Sequence, residues 1–191
     1  MLENKSILKY KKKILKLHRE LLISKNKIKQ LKKENEILRM QVNTDSLTKL
    51  NNRRCLEKAV GIDSLILGDL DHFKKINDSH GHDVGDEVLV EVSIILKKYV
   101  RDTDLVCRWG GEEFLVLLKN CSDEEALNKA NLLKDKIMEL SDKFGFRITM
   151  SFGISNLSTS TLEDAISKAD KAMYVSKKEG RNKATIYTLN K

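Results

Sequence analysis

Two short acidic clusters carry side chains that suit a divalent cation. Asp69 and Asp71 follow a continuous apolar run in DSLILGDL. Glu112 and Glu113 lie in the stretch RWGGEEF, residues 108–114. A tight turn explains the two glycines of that stretch, but it does not explain two consecutive glutamates. An acid at the end of an apolar strand costs free energy unless it binds something. Carboxylates that converge from neighbouring strands would form a site for Mg²⁺, which needs only one or two of them plus substrate phosphates.

The first cluster also has a structural interpretation. An acid at the end of a strand commonly caps the helix that follows, and Asp71 has the position to do so. The presence of Glu112 and Glu113 in a turn of an adjacent strand favours the metal site over this alternative. Gly110 and Gly111 would then let a nucleotide lie against bare backbone.

Alternating apolar patterns and capping residues predict the elements that must position these acids. From residue 44 onward the predicted order is β-α-α-β-β-α-β-α-β, after a short helical lead-in over 44–60 capped by Thr44 or Asp45. The strands are predicted over 63–70, 103–109, 114–120, 147–155 and 184–189, and the helices over 71–77, 83–100, 122–140 and 161–180. A hairpin between βα units indicates an α+β fold with an antiparallel-centred sheet and helices on one face. That arrangement is similar to the palm-like, ferredoxin-like sheet of polymerases and nucleotidyl cyclases.

The N-terminal segment has a different composition. Residues 1–42 hold 13 Lys and Arg against 4 Glu, a net charge of +9, whereas the remainder has a net charge of −1. Apolar residues recur there every 3.5 residues, with Ile7, Ile14, Leu21, Ile28, Asn35 and Val42 at heptad position a and Tyr10, Leu17, Ser24, Leu31 and Leu38 at position d. Isoleucine at a with leucine at d favours two parallel strands, and a single Asn35 fixes their register. The sequence predicts a coiled-coil dimerisation helix over residues 1–43, ahead of a catalytic domain over residues 44–191.

Other classes of partner and location fit the sequence less well. A basic zipper that binds DNA needs a basic helix beyond the heptads. Here the lysines interleave with the heptads, which favours a solvated face and no nucleic-acid partner. No run reaches the roughly 18 apolar residues of a membrane span. The three cysteines match no metal spacing, and they predict reduced thiols in a cytoplasmic protein.

Several motifs together resemble the GGDEF-domain diguanylate cyclases, in the GGEEF variant, over about residues 44–187. The matching segments are DSLTKLNNRR (45–54), DLDHFKKINDSHGHDVGDEVL (69–89), RWGGEEF (108–114), SFGIS (151–155) and ADKAMYVSKKEGRN (169–182). The resemblance implies that two GTP molecules condense into cyclic di-GMP and release two pyrophosphates. It also implies a homodimer, because each domain supplies one GTP, and Mg²⁺ as the cofactor, with Mn²⁺ as a substitute.

The resemblance assigns roles to the acidic clusters and to one lysine. Asp69, the backbone carbonyl of Leu70 and Glu112 would bind the metal ions. Glu113 is similar in position to the residue proposed to accept the proton of the attacking 3′-hydroxyl. Lys74 would stabilise the charge of the phosphates in the transition state, which suits a reaction that depends on positioning and charge neutralisation.

The resemblance also implies a set of substrate contacts. Lys177 and Arg181 would grip the phosphates, and His82 would contact the substrate. Asn77 and Asp86 would read the guanine edge, whose N1–H and N2–H₂ donors suit an acceptor carboxylate. Each residue has a structural alternative: complementing a helix dipole for the two cations, a plain turn for Asn77 and a loop histidine for His82.

Arg101 and Asp104 form an RxxD motif that five residues separate from the first glycine of GGEEF. The resemblance places the inhibitory product site there, with the arginine forked onto guanine or phosphate. The predicted helix after the hairpin offers Lys129 and Lys134 but no arginine, and lysine cannot copy a bidentate fork. A catalytically silent receptor that binds cyclic di-GMP at this motif is the alternative function.

Overall fold

The computed structural model describes the backbone of residues 2–157 and 161–188. It describes the side chains of those ranges except at residues 2–10, 36–42, 55, 57 and 58. The chain divides into two compact units, Met1–Val42 and Asn43–Lys191.

The first unit is one long helix, α1, over Leu2–Asn43. Its heptad residues with described side chains expose between 49% and 63% of their surface, namely Ile14, Leu17, Leu21, Ile28 and Leu31. Because they recur every three or four residues, they form an apolar stripe along α1. The side chains of Ile7, Tyr10, Leu38 and Val42 lie outside the described residues. Within the described ranges, no helix is long and apolar enough to cross a membrane.

The second unit is built on a five-stranded sheet in the order β2-β3-β1-β4-β5. The strands are β1 Ser64–Leu70, β2 Leu105–Arg108, β3 Glu113–Leu118, β4 Met150–Asn156 and β5 Ala184–Ile186. The central strand β1 is antiparallel to both β3 and β4, and β5 is parallel to β4. The predicted α+β fold with an antiparallel-centred sheet is confirmed, and each predicted strand is present.

Five α-helices complete this unit: α2 Phe73–His80, α3 His82–Lys98, α4 Asp123–Met138, α5 Leu140–Phe144 and α6 Leu162–Lys178. The break between α2 and α3 falls at Gly81, whose φ of +89° suits a residue without a Cβ. The predicted capping box opens α4, where the Ser122 side chain accepts from the Glu125 backbone. The helix predicted over 122–140 proves to be two, because α5 starts after a separate turn.

The predicted helical lead-in over 44–60 is wrong. Asp45 caps an isolated turn, accepting from the backbone of Thr48 at 2.8 Å, and no helix continues from it in the described chain. A short 3₁₀ helix follows over Arg53–Lys58, capped by the side chain of Asn52. The cap signal therefore marked a real turn, but Thr44 and Asn51 on its two sides pair in an isolated β-bridge and no α-helix forms in this segment.

The helices pack on both faces of the sheet, which corrects the prediction of one covered face. On one face Ile66 packs into a core with residues of α3 and α4. On the other face Leu65 and Leu67 pack against Ala169 and Met173 of α6. Successive strand residues point to opposite faces, so a strand that is apolar throughout needs cover on both sides. The unbroken apolar run of β1 in the sequence already indicated that both faces of the sheet are covered.

One cysteine differs from the prediction of three reduced thiols. Cys107, buried in β2, is disulfide-bonded, whereas Cys121 keeps a free thiol. A disulfide requires two Cα atoms within about 4.4–6.8 Å of each other. That distance depends on tertiary packing, so spacing along the chain does not reveal it.

Candidate active site

The register of the sheet brings the two acidic clusters together. Asp69 near the end of β1 is the direct partner of Glu113 at the start of β3. The backbone N–H of Leu70 donates to the carbonyl of Glu112 at 3.3 Å. The sheet-end site, defined here as Asp69, Glu112, Glu113 and Lys177, therefore lies where β1 ends and β3 begins.

The turn before β3 is held by backbone and side-chain hydrogen bonds. The N–H groups of Trp109 and Gly110 both donate to the carbonyl of Glu113, at 2.8 and 3.3 Å. The guanidinium of Arg108 donates to the carbonyl of Gly111 at 2.8 and 3.0 Å, and to the Asp45 carboxylate at 3.1 Å. The planar fork of arginine suits such a double role. Sequence reasoning missed Arg108, although it stands only two residues before Gly110.

Burial, and after it the neighbouring charges, raise the pKa of two carboxyl groups of the sheet-end site. Burial raises the pKa of Asp69, the Lys177 ammonium opposes that rise, and the charges of Glu112 and Asp71 add to it. Burial likewise raises the pKa of Glu113, and Asp69 adds to the rise. The Nζ atom of Lys177 lies 2.9 Å from Asp69 Oδ1. A group of acids faced by one lysine favours an additional cation.

Lys177 reaches Asp69 because α6 lies in backbone contact with β4. A Cβ atom added at Gly153 of β4 would lie 2.0 Å from the carbonyl oxygen of Ala169 in α6. The hydroxyl of Ser155 donates to the Ala165 carbonyl at 2.6 Å, and that of Ser176 to the Phe152 carbonyl at 2.8 Å. A glycine inside a strand is the sequence signal for such a close approach.

Asp71 is a structural anchor and not the helix cap considered from the sequence. Its side chain is buried, with 4% exposed. One oxygen accepts from the Ser151 hydroxyl at 2.7 Å. The other accepts from the Thr149 hydroxyl at 2.8 Å and from the backbone N–H of Asn182 at 3.0 Å. The cap position of α2 belongs instead to His72, whose side chain makes no capping bond.

Two of the predicted substrate contacts lie on α2 and α3. The side-chain oxygen of Asn77 is buried, has no hydrogen-bond partner among the described residues and lies tightly against Gly85. Asp86, which follows Gly85 in α3, lines a cavity of about 340 Å³ together with Leu47 and Val90. A buried acceptor without a donor costs free energy, so a ligand N–H would stabilise this oxygen.

Three predicted site residues remain in solvent. Lys74, His82 and Arg181 are exposed, and within the described part of the chain their side chains form no hydrogen bond or ion pair. Lys74 lies on α2, His82 opens α3 and Arg181 follows α6. The structure thus brings Asp69, Glu112, Glu113 and Lys177 together, while the three exposed side chains form no hydrogen bond or ion pair with them in the described chain.

A second cavity, of about 260 Å³, surrounds the RxxD motif. The Arg101 cavity, as we call it, is lined by residues that include Arg101, Asp104, Lys119, Cys121 and Lys129. The Asp104 carboxylate is buried and accepts from the backbone N–H groups of Arg101 at 3.0 Å and Lys119 at 3.3 Å. Lys129 donates to the Tyr99 carbonyl at 2.9 Å. Arg101 is therefore the exposed cationic side chain of this cavity in the described chain, and Glu125 is an exposed acid that also lines it.

Comparison with known proteins identifies close similarities. A family model described as diguanylate cyclase, GGDEF domain, matches residues 42–183. Diguanylate cyclase A of Treponema denticola is 40% identical over 132 residues, which cover 66% of this chain and 36% of that protein. The chain spans about a third of the length of the curated relatives it matches.

Two solved structures match most of this chain. The structure of the diguanylate cyclase SiaD in complex with its activator SiaC, from Pseudomonas aeruginosa, superposes with a TM-score of 0.76 at 31% identity. That match covers 96% of this chain and 77% of SiaD. The coiled coil and GGDEF domain of DgcB from Caulobacter crescentus, in complex with c-di-GMP, gives a TM-score of 0.77 at 24% identity. It covers 89% of this chain and 98% of that one, and it establishes likeness of fold.

Proposed function

We propose that this chain, which belongs to the GGDEF domain family of diguanylate cyclases, condenses two GTP molecules into cyclic di-GMP and releases two pyrophosphates. The observation that carries the proposal is the pairing of Asp69 with Glu113 across β1 and β3. That pairing concentrates carboxylates beside Lys177 at the end of the sheet. A site of this kind suits metal-assisted phosphoryl transfer.

The donor set of the sheet-end site fits Mg²⁺, with Mn²⁺ as a substitute. Asp69, Glu112 and the Leu70 carbonyl would hold the ion with hard oxygen ligands. No group of three or more His, Cys, Asp or Glu in the described residues could hold a metal ion by itself. Mg²⁺ characteristically takes its remaining ligands from water and substrate phosphates. When bound, the ion would polarise the phosphate oxygens as a Lewis acid.

Residues of the chain supply the proton acceptor and the remaining positive charge. The 3′-hydroxyl oxygen of one GTP forms a bond to the α-phosphorus of the other, and the bond from that phosphorus to pyrophosphate breaks. Glu113 accepts the hydroxyl proton, as a general base placed beside the metal ligands. Lys177, Lys74 and Arg181 would neutralise the phosphates, and the last two have no competing ion pair in the described chain.

Guanine is the base that the acceptors Asn77 of α2 and Asp86 of α3 support best. The unpartnered oxygen of Asn77 and the carboxylate of Asp86 are both acceptors. Guanine presents N1–H and N2–H₂ donors on one edge, whereas adenine offers no such pair. His82 at the start of α3 would contact the same nucleotide. Gly111, where an added Cβ would meet no atom within 4 Å, leaves open space beside the turn.

Catalysis by this scheme needs two domains that face each other. The exposed apolar stripe of α1 supports a parallel coiled-coil homodimer, in which Asn35 sets the register. Tethering by short connections raises the effective local concentration towards the millimolar range. Ser24 is a polar residue at heptad position d, so it weakens the packing between the two helices. This weak position is the feature through which dimer formation would be regulated. A reaction that consumes GTP belongs in the cytoplasm.

Product feedback would act through the Arg101 cavity. Its exposed arginine suits the phosphates or guanine of cyclic di-GMP. Structural neighbours such as DgcB were solved in complex with c-di-GMP. The alternative function, a catalytically silent receptor, would use this cavity alone. The carboxylates gathered at the sheet-end site favour the enzyme, because a receptor has no need of them.

One assay tests the proposed function. The full chain is incubated with GTP and Mg²⁺, and cyclic di-GMP and pyrophosphate are quantified. We expect two pyrophosphates for each cyclic di-GMP, no product from Glu112→Gln, and normal product from Asp142→Asn, a matched change at an exposed acid on α5. Cyclic di-GMP binding without any turnover would establish the receptor instead.

A further inference from the structure

The backbone that carries Arg181 adopts an unusual conformation. Gly180, Arg181 and Asn182, which we call the hook, follow α6 with φ angles of +107°, +65° and +47°. The left-handed region costs a residue with a side chain roughly 1–2 kcal/mol. Two such residues in succession require support from the surrounding structure.

Two hydrogen bonds donated by backbone N–H groups support the hook in the described chain. The N–H of Arg181 donates to the Ser176 carbonyl at 3.0 Å, which ties the hook to its own helix. The N–H of Asn182 donates to Asp71 Oδ2 at 3.0 Å, a partner 111 residues away in the sequence. Since Asp71 immediately follows β1, this second bond ties the hook to the strand that carries Asp69.

The Asp71 carboxyl group is itself fixed in place. The hydroxyls of Thr149 and Ser151, before and within β4, donate to its two oxygens. The group is buried, so its hydrogen bonds are shielded from water. The hook is thus held by a carboxyl group that cannot rotate freely.

We propose that Asp71 is a positioning residue that sets the distance between Arg181 and the metal-binding end of β1. Asp71 acts through the Asn182 N–H and does not touch the substrate itself. The guanidinium of Arg181 is exposed and makes no ion pair in the described chain, so it is available for phosphates. This inference rests on the proposed function, since the phosphates that Arg181 would bind are those of a nucleoside triphosphate.

The pattern of acceptors supplies variants that separate positioning from general stability. In Asp71→Ala the Asn182 N–H loses its acceptor. In Asp71→Asn the amide oxygen can still accept from Asn182, while its NH₂ can donate to the Ser151 oxygen. In Ser151→Ala the carboxyl loses one donor, but its bond to the hook remains.

The first test is steady-state kinetics of the full chain with GTP. We expect Asp71→Ala to raise KM about tenfold, with a smaller change in kcat. A tenfold change corresponds to the loss of about one hydrogen bond to a charged group. Asp71→Asn and Ser151→Ala should stay within about twofold of the wild-type KM. In an Arg181→Ala background, Asp71→Ala should have no further effect on KM. A wild-type KM for Asp71→Ala, or an undiminished effect without Arg181, would overturn the proposal.

The second test needs no variant to fold and no turnover. Amide hydrogen exchange of the wild-type chain should show the Asn182 N–H protected at least about a hundredfold relative to an unstructured amide. Exchange at the unprotected rate would refute the bond on which the inference depends.

Absence of cyclic di-GMP synthesis by the wild type, with Asn182 protected, would remove the proposed function but leave the hook intact. Binding of a non-hydrolysable GTP analogue, weakened by Asp71→Ala and not by Ser151→Ala, then decides the role of Asp71.

Discussion

The sheet-end site and the Arg101 cavity both contain an acid beside a cationic side chain, but the two acids have different partners. Asp104 accepts from two backbone N–H groups, so its charge is balanced within the fold. Asp69 has Lys177 as its partner and lies close enough to Glu112 for repulsion to raise its pKa. An acid balanced by backbone amides leaves the neighbouring Arg101 to bind an anion. Acids that repel each other create a site for a cation.

Asp69→Asn should separate the two regions most strongly. Removing a metal-binding carboxylate should lower the rate of cyclic di-GMP synthesis roughly 10²- to 10³-fold, as for other groups that stabilise transition-state charge. Binding of cyclic di-GMP at the Arg101 cavity, measured by calorimetry, should stay within about twofold of the wild-type value. Loss of both properties together would show that the two regions are not independent.

Arg101→Ala should have the opposite effect. It removes the exposed positive charge of the cavity and should weaken cyclic di-GMP binding about ten- to a hundredfold, the range for a charged hydrogen bond. The initial rate of synthesis without added product should not change. Asp102→Asn, an exposed acid in the same turn, is the matched control and should bind product normally. Unchanged product inhibition in Arg101→Ala would place the inhibitory site elsewhere.

Gly153→Ala should destabilise the packing that positions Lys177 in the sheet-end site, because it separates α6 from β4. The added methyl group would meet the Ala169 carbonyl oxygen at 2.0 Å. Overpacking of this kind costs about 1–3 kcal/mol of unfolding free energy, and thermal unfolding measures it. Gly111→Ala is the stability control, since its methyl group would meet no atom within 4 Å. A Gly153→Ala protein as stable as Gly111→Ala would contradict the close packing of α6.

The pH dependence of stability should reveal the burial and the repulsion that raise the pKa of Glu113. Because the folded-state pKa of Glu113 is raised, the folded chain binds more protons than the unfolded chain between the two pKa values. Stability therefore falls as pH rises through that interval, from the ordinary value upward. In metal-free buffer Glu113→Gln should melt about 1–3 °C above the wild type at pH 7. The two should converge near pH 4, and a constant difference at all pH values would exclude the raised pKa of Glu113 as the cause.

Several elements whose signals are local in the sequence were predicted correctly. The apolar run of β1, the break at Gly81 and the Ser122–Glu125 capping box depend on residues within a few positions of each other. The two-sided cover of the sheet and the disulfide of Cys107 depend on how elements pack. Pattern alone therefore could not establish them.

The candidate site shows the same division between local and distant signals. The acids Asp69 and Glu113 stand in motifs that the sequence displays directly. The distant partners of the supporting residues are not displayed in this way: Arg108 binds an acid 63 residues away, and Asp71 binds a backbone group 111 residues away. Arg108 and Asp71 both stand within motifs, but the sequence does not show which distant group each one binds. These contacts become visible once the fold is known.

The most direct test of the central claim is Mn²⁺ binding to the full chain, measured by electron paramagnetic resonance with a non-reactive GTP analogue present. The account predicts that the wild type binds Mn²⁺ and that Asp69→Asn and Glu112→Gln each weaken binding at least about tenfold, as loss of a charged ligand should. Asp142→Asn should bind as the wild type does. Wild-type affinity in both site variants would contradict the claim that carboxylates from β1 and the hairpin turn share a metal ion.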